Sequence, residues 1–83
     1  MAGNVSQQIR VVIAHECGLK QKSVTSQTLF MANPSFSYFD CVSALFTLQH
    51  KLGVSLPESD YAKYNTVGSL TRCIIKQLKD KSK

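Results

Sequence analysis

Hydrophobic residues at helical spacing mark the first element of the chain. They recur every three or four positions, at Val5, Ile9, Val12 and Ile13. This is the period of a helix with one apolar face. Gly18 follows, and glycine is the residue that most often takes the left-handed conformation just after a helix. The pattern therefore predicts a first helix that ends at Cys17.

A long polar segment, residues 19–34, separates this helix from the next. It has no apolar periodicity, and the hydrophobic residues that could reach a core are Val24, Leu29, Phe30 and Met31. Loops of this length in small domains are usually functional or specially packed. We expect those hydrophobic residues to attach the loop to the core.

A second helix is predicted from Tyr38 to Gly53. Pro34 disfavours helix at the residue before it, and Ser37 with Asp40 matches the S-x-x-[DE] pattern of a helix N-cap. Large apolar residues recur at helical spacing, with a polar interruption at Gln49; they are Phe39, Val42, Leu45, Phe46, Leu48 and Leu52. Gly53 then provides a stop.

Two further helices complete the pattern. Pro57 opens a short third element, "PESDYAKY", and Thr66 is placed to cap a fourth helix. The apolar stripe of that helix is Val67, Leu70, Ile74, Ile75 and Leu78. The sequence thus predicts an all-α, four-helix bundle in one domain, residues 1–83, with a long loop between helices 1 and 2, a short helix 3 and a basic, frayed tail at residues 79–83.

Charge and composition narrow the function classes. The 83 residues carry a net charge of +5, but five of the ten Lys and Arg residues lie in the last twelve positions. The remaining positive charges are scattered without an aromatic stacking platform, so we do not expect a nucleic-acid partner. No apolar run approaches the roughly 18 residues of a membrane span, and the polar N-terminus lacks a signal-peptide core. A cytoplasmic protein without a membrane partner is the expectation.

Catalytic and metal-binding patterns are not found in the sequence. Cys17, Cys41 and Cys73 are far apart and form no C-x-x-C pair, so neither a disulfide framework nor a zinc site is indicated. Cys41 and His50 cannot form a dyad, because nine residues on one helix separate them by about 13 Å along the axis. We expect no enzymatic activity and no metal.

The order of elements and three phrases, "CGLKQKSVTSQTLF", "FDCVSALFTLQHKLGVSLP" and "TVGSL", resemble the acyl carrier protein family over residues 9–78. The resemblance implies a four-helix bundle whose interior can hold an acyl chain. In that family a serine in an Asp-Ser-Leu motif at the start of the second helix carries a phosphopantetheine arm. In the ungapped register Tyr38 stands at the serine position, between Ser37 and Phe39, and Asp40 is retained. The resemblance therefore implies a carrier-like protein without its cofactor.

Ser37 leaves an alternative open. It is either the helix N-cap or, in a register slipped by one residue, an atypical attachment site for 4'-phosphopantetheine in a genuine carrier.

The second helix also keeps only Asp40 of the acidic residues with which family members contact their enzymes. Ser43, Gln49, His50 and Lys51 stand where acids are expected. The resemblance implies that the partner is an acyl-processing enzyme of fatty acid or polyketide biosynthesis, or another protein of a carrier pathway. The candidate contact residues are Tyr38, Phe39, Val42 and Phe46. The spacing of Val42 and Phe46 fits a buried stripe equally well.

Overall fold

The predicted helices are all present in a computed structural model that describes residues 5–31 and 33–81. Three are α-helices: α1, Val5–Cys17; α2, Tyr38–Leu52; and α3, Val67–Lys81. The short third element, Glu58–Lys63, is a 3-10 helix, and a further 3-10 turn that was not predicted spans Gln21–Ser23. The described residues contain no strand, only an isolated β-bridge between Leu29 and Thr66. The all-α prediction is confirmed.

Glycines end the first two α-helices as predicted. Gly18 has φ 71°, and the N–H of Leu19 donates to the carbonyl of Ala14 at 2.8 Å. Gly53 has φ 66°, and its N–H donates to the carbonyl of Gln49 at 2.9 Å. Both positions require the left-handed region, which glycine enters without a Cβ penalty.

The core lies where α1 meets α2, α3 and the loop. Its buried side chains are all apolar or aromatic, and among the described residues no polar or charged side chain is buried. The largest fully buried members are Tyr64, Phe30, Ile9, Ile13, Leu45, Leu48, Leu56, Leu70 and Ile74. α1 is the common element, because it packs against α2, against Gln21–Ser23 and against α3. No helix in the described part of the chain is long and apolar enough to cross a membrane.

The long loop is attached to the start of α3 by backbone hydrogen bonds. The N–H groups of Val67 and Gly68 donate to the carbonyls of Thr28 and Ser26, at 2.9 and 2.8 Å. Thr66 Oγ1 accepts from the N–H of Ser69 at 3.1 Å, which confirms the predicted cap. The first N–H groups of a helix have no partner within it, and here the loop supplies two of the missing acceptors.

Hydrophobic anchors hold the same loop in the core. Phe30 is fully buried and Val24 is 2% exposed. The N–H of Phe30 donates to the carbonyl of Asn65 at 2.7 Å, and that of Met31 to the carbonyl of Tyr64 at 3.1 Å. Of the four predicted anchors, only Leu29 is exposed.

The C-terminal tail differs from its prediction. α3 continues through Lys81, so residues 79–81 of the tail predicted to be frayed are helical. Residues 82–83 lie outside the described residues.

Candidate functional site

The corner at the start of α2 is built around Ser37. Its backbone is extended, with φ −73° and ψ 151°, and its Oγ accepts a hydrogen bond from the N–H of Asp40 at 3.0 Å. The predicted cap is confirmed. Asp40, in the first turn, also places a negative charge near the positive end of the helix dipole.

Tyr38, the residue at the attachment position of the family register, lies against the second 3-10 helix. Its ring centroid is 6.4 Å from that of Tyr61, and Tyr61 is in turn 6.4 Å from Tyr64. Burial raises the pKa of Tyr61, and Tyr38 and Glu58 add to the rise. Tyr38 remains 59% exposed. It is therefore an accessible ring with one side supported by a neighbouring aromatic residue.

Phe39 and Phe46 form an exposed aromatic stripe on α2. They are 78% and 60% exposed, the two highest values among the exposed large hydrophobic residues. Seven residues on a helix are about 10.5 Å apart along the axis and within about 20° around it, so both rings project from one face. Val42 lies one turn from each, is half-buried and packs against the core cluster. The structure thus brings Phe39, Val42 and Phe46 together, with Tyr38 roughly 100° to one side.

Phe46 lies on the exposed side of α2, so of the two alternatives left open for it the buried stripe does not apply. Its spacing was compatible with a buried stripe, but the buried residues of α2 are Cys41, Ala44, Leu45 and Leu48. That set occupies the opposite side of the helix, at the i, i+3, i+4, i+7 spacing of a core face. α2 therefore has two apolar faces: the one lined by small and aliphatic residues is buried, while the other leaves Phe39 and Phe46 exposed and contacts the core through Val42.

Beyond Phe46 the surface of α2 becomes basic. A shallow depression of about 480 Å³ is lined by Phe46, Thr47, His50 and Lys51. His50 and Lys51 are exposed. Thr47 Oγ1 donates to Glu16 Oε2 of α1 at 3.4 Å. Sequence reasoning named neither Thr47 nor Glu16, because their contact joins positions 31 residues apart.

Two cysteines near this corner have environments that favour the protonated thiol. Cys41 is 1% exposed, and its Sγ donates to the carbonyl of Phe30 at 3.5 Å. Burial raises its pKa, and Asp40 raises it further. Burial is also the main cause that raises the pKa of Cys17 to about 11. The described residues contain no group of three or more His, Cys, Asp or Glu side chains that could hold a metal ion.

A comparison with models of known protein families finds none that matches the chain. The similarity to acyl carrier proteins therefore remains a prediction that depends on the order of elements and the short phrases quoted above.

Proposed function

We propose that the protein is an acyl-carrier-like protein without a phosphopantetheine arm, which acts by binding a protein partner through the outer face of α2. The observation that carries the proposal is the exposed stripe of Phe39 and Phe46. Aromatic side chains are enriched in protein interfaces, and contiguous exposed apolar surface commonly marks an interaction site. The role is non-catalytic: the protein stabilises, positions or regulates an enzyme.

The arrangement at the start of α2 argues against an arm. A transferase must align a compact primary hydroxyl with the coenzyme A phosphate, and phosphoryl transfer depends on such positioning. The hydroxyl of Tyr38 lies at the far end of a ring that is in contact with Tyr61. The hydroxyl of Ser37 accepts the bond from the Asp40 N–H, so an ester at this oxygen would compete with its role as helix cap.

The family resemblance suggests an acyl-processing enzyme of fatty acid or polyketide biosynthesis, or another carrier-pathway protein, as the partner. The surface itself suggests how the contact is made. Asp40 is the only acidic residue of α2, so a basic patch on the partner has little to attract it. Burial of Phe39 and Phe46 is the main driving force in this proposal, and the complex should survive moderate salt because screening acts on charges.

The absence of an arm is tested by the intact mass of the protein after coexpression with a broad-range phosphopantetheinyl transferase. The expected mass is that of the unmodified chain. An increase of one phosphopantetheine unit that disappears in Ser37→Ala would instead support the alternative, a genuine carrier that uses Ser37.

The binding face is tested with purified complex. Partners captured by the wild type are identified and then titrated with Phe39→Ala, Phe46→Ala and Tyr38→Ala variants at low and high salt. Val11→Ala is the matched control, because Val11 is an exposed apolar residue of α1, at 40% exposure. The α2 variants should weaken the complex while the control leaves it unchanged. A complex that tolerates the α2 variants, dissolves in salt and fails on mutation of Arg72 or Lys76 would place the interface on α3.

A further inference from the structure

A second concave surface lies away from the aromatic stripe, between α1 and the first 3-10 helix. It is a groove of about 770 Å³, within the size range of small-molecule sites. Seven of its eight lining residues are of polar or charged types, and Val24 is the exception. The lining residues are Ser6, Gln7, Arg10, Lys20, Gln21, Lys22, Val24 and Thr25.

The turn after α1 places the lysines beside the groove. Gly18, with φ 71°, reverses the chain direction, and the Leu19 N–H closes the turn on the carbonyl of Ala14 at 2.8 Å. The chain then continues into a 3-10 helix that packs against α1. Lys20 and Lys22 are therefore held on the wall opposite Arg10.

Hydrogen bonds and one core anchor hold that wall in place. The N–H of Ser23 donates to the carbonyl of Lys20 at 2.9 Å, and the N–H of Val24 to the carbonyl of Gln21 at 3.1 Å. Val24 is 2% exposed and belongs to the core. The groove is thus formed by ordered backbone rather than by side chains alone.

The groove carries three positive charges and no negative charge. Arg10 is half-buried, Lys20 and Lys22 are exposed, and no carboxylate lines the groove. Within residues 5–31 and 33–81 the structure shows one ion pair, between Lys63 and Asp60 at 3.3 Å. The side chains of Arg10, Lys20 and Lys22 therefore form no ion pair with an acidic residue in those ranges. Clefts lined by charge of one sign concentrate the potential and raise the local concentration of counter-ions.

Neutral hydrogen-bonding groups surround these charges. Ser6 and Gln7 lie four and three residues before Arg10, on the same side of α1. Gln21 lies on the opposite wall between the two lysines. Hydroxyl and amide groups can donate to oxyanions, and the planar guanidinium of Arg10 matches two phosphate oxygens at once.

We propose that this groove binds a small soluble ligand that carries two or more linked phosphate groups. Three cations balance the charge of a diphosphate, and the surrounding amides and hydroxyls supply further contacts to its oxygens. A nucleic-acid strand fits less well, because no aromatic side chain lines the groove to stack a base. This site goes beyond the proposed partner binding and does not depend on it.

The test is titration of the isotopically labelled protein with inorganic pyrophosphate, followed through amide chemical shifts. The shifts should be confined to residues 6–10 and 20–25.

The double variant Arg10→Gln/Lys22→Gln should bind on the order of tenfold more weakly or worse, since two charge-assisted contacts are removed. Arg72→Gln/Lys76→Gln removes the same charge from α3 and should leave the affinity within about threefold. Lys20→Gln/Lys22→Gln, which alters only exposed side chains, should reproduce the loss if the Arg10 variant fails to fold.

Several results would overturn the proposal. Shifts of the same size and distribution in sodium chloride at matched ionic strength would mean that the groove responds to salt alone. An equal loss of affinity in the α3 variant would mean general attraction to a basic protein. Binding to phosphatidylcholine vesicles containing phosphatidic acid, without binding of soluble pyrophosphate, would assign the groove to a lipid surface.

Discussion

Replacing Gly68 by alanine should loosen the attachment of the long loop to α3. A Cβ built at this position lies 2.8 Å from the carbonyl oxygen of Ser26 and 3.3 Å from its Cβ. The same carbonyl accepts the Gly68 N–H at 2.8 Å. The obstructing atom is the backbone carbonyl oxygen of Ser26, so the loop itself must move to accommodate the methyl group.

The expected change in the free energy of unfolding combines one stabilising effect with two destabilising ones. Alanine is favoured over glycine in a helix by up to about 1 kcal/mol. Overpacking costs about 1 to 3 kcal/mol, and loss of the hydrogen bond to Ser26 adds about 0.5 to 1.5 kcal/mol. We therefore expect Gly68→Ala to lower the free energy of unfolding by about 1 to 3 kcal/mol, which corresponds to a fall in Tm of roughly 5 to 20 °C for a domain of this size.

The measurement is thermal and denaturant unfolding followed by far-ultraviolet circular dichroism. Lys76→Ala is the control, because Lys76 is exposed on α3 and should change the stability by less than about 0.5 kcal/mol. Hydrogen exchange gives an independent readout: the amides of Val67 and Gly68 should exchange slowly in the wild type although they belong to a first helical turn. A Gly68→Ala protein as stable as the wild type or more stable would refute the close approach of loop and helix.

Three further predictions concern the cap, the two faces of α2 and a thiol. Ser37→Ala should lower the free energy of unfolding by about 0.5 to 2 kcal/mol because a cap is lost, whereas Ser37→Asp should retain most of it; equal stability of wild type and Ser37→Ala in a denaturant titration would exclude a cap. Leu48→Ala, at a fully buried position, should cost about 2 to 5 kcal/mol, while Phe46→Ala should change the stability by less than about 0.5 kcal/mol; comparable losses in the two melts would mean that Phe46 is in the core. Because the pKa of Cys17 is raised from 9.0 to about 11, the fold favours its protonated form, so stability should fall between about pH 9 and 11 and fall less in Cys17→Ser; identical pH profiles of the two proteins would contradict this.

Local signals in the sequence were sufficient to predict the helices and the residues at which they begin and end. Gly18, Ser37, Gly53 and Thr66 each act within a few residues of their own position, so the chain around them carries the whole signal. This is why the predicted starts and stops agree with the structure.

Two features could not be predicted from local sequence: how the loop is attached to α3, and which face of α2 is buried. Both depend on residues that are distant in the sequence. The hydrogen bonds from Val67 and Gly68 to the loop join backbone groups about 40 residues apart, and backbone groups have no side-chain signature in the sequence. The apolar pattern of α2 likewise could not show which of two faces is buried. That choice depends on the residues of α1, which packs against α2, and the small buried side chain of Ala44 on α2 permits close packing there.

The area of the aromatic stripe sets a requirement on the partner. A buried aromatic side chain covers about 150 to 250 Å², so Phe39 and Phe46 together supply roughly 300 to 500 Å² at most, while a stable interface needs about 800 Å² on each side. We therefore propose that the contact extends along α2 to Tyr38 at one end and to His50 and Lys51 at the other. Burial of a Phe side chain contributes about 1.5 to 3 kcal/mol, and both rings are already partly covered, so we expect Phe39→Ala/Phe46→Ala to weaken the complex on the order of a hundredfold or more.

Calorimetric titration of the wild type should show a clearly negative heat-capacity change, which is the reliable marker of apolar burial, and the double variant should show a smaller one. A heat-capacity change near zero for the wild type, with affinity that instead falls steeply with salt, would mean that His50 and Lys51 rather than the aromatic rings make the contact.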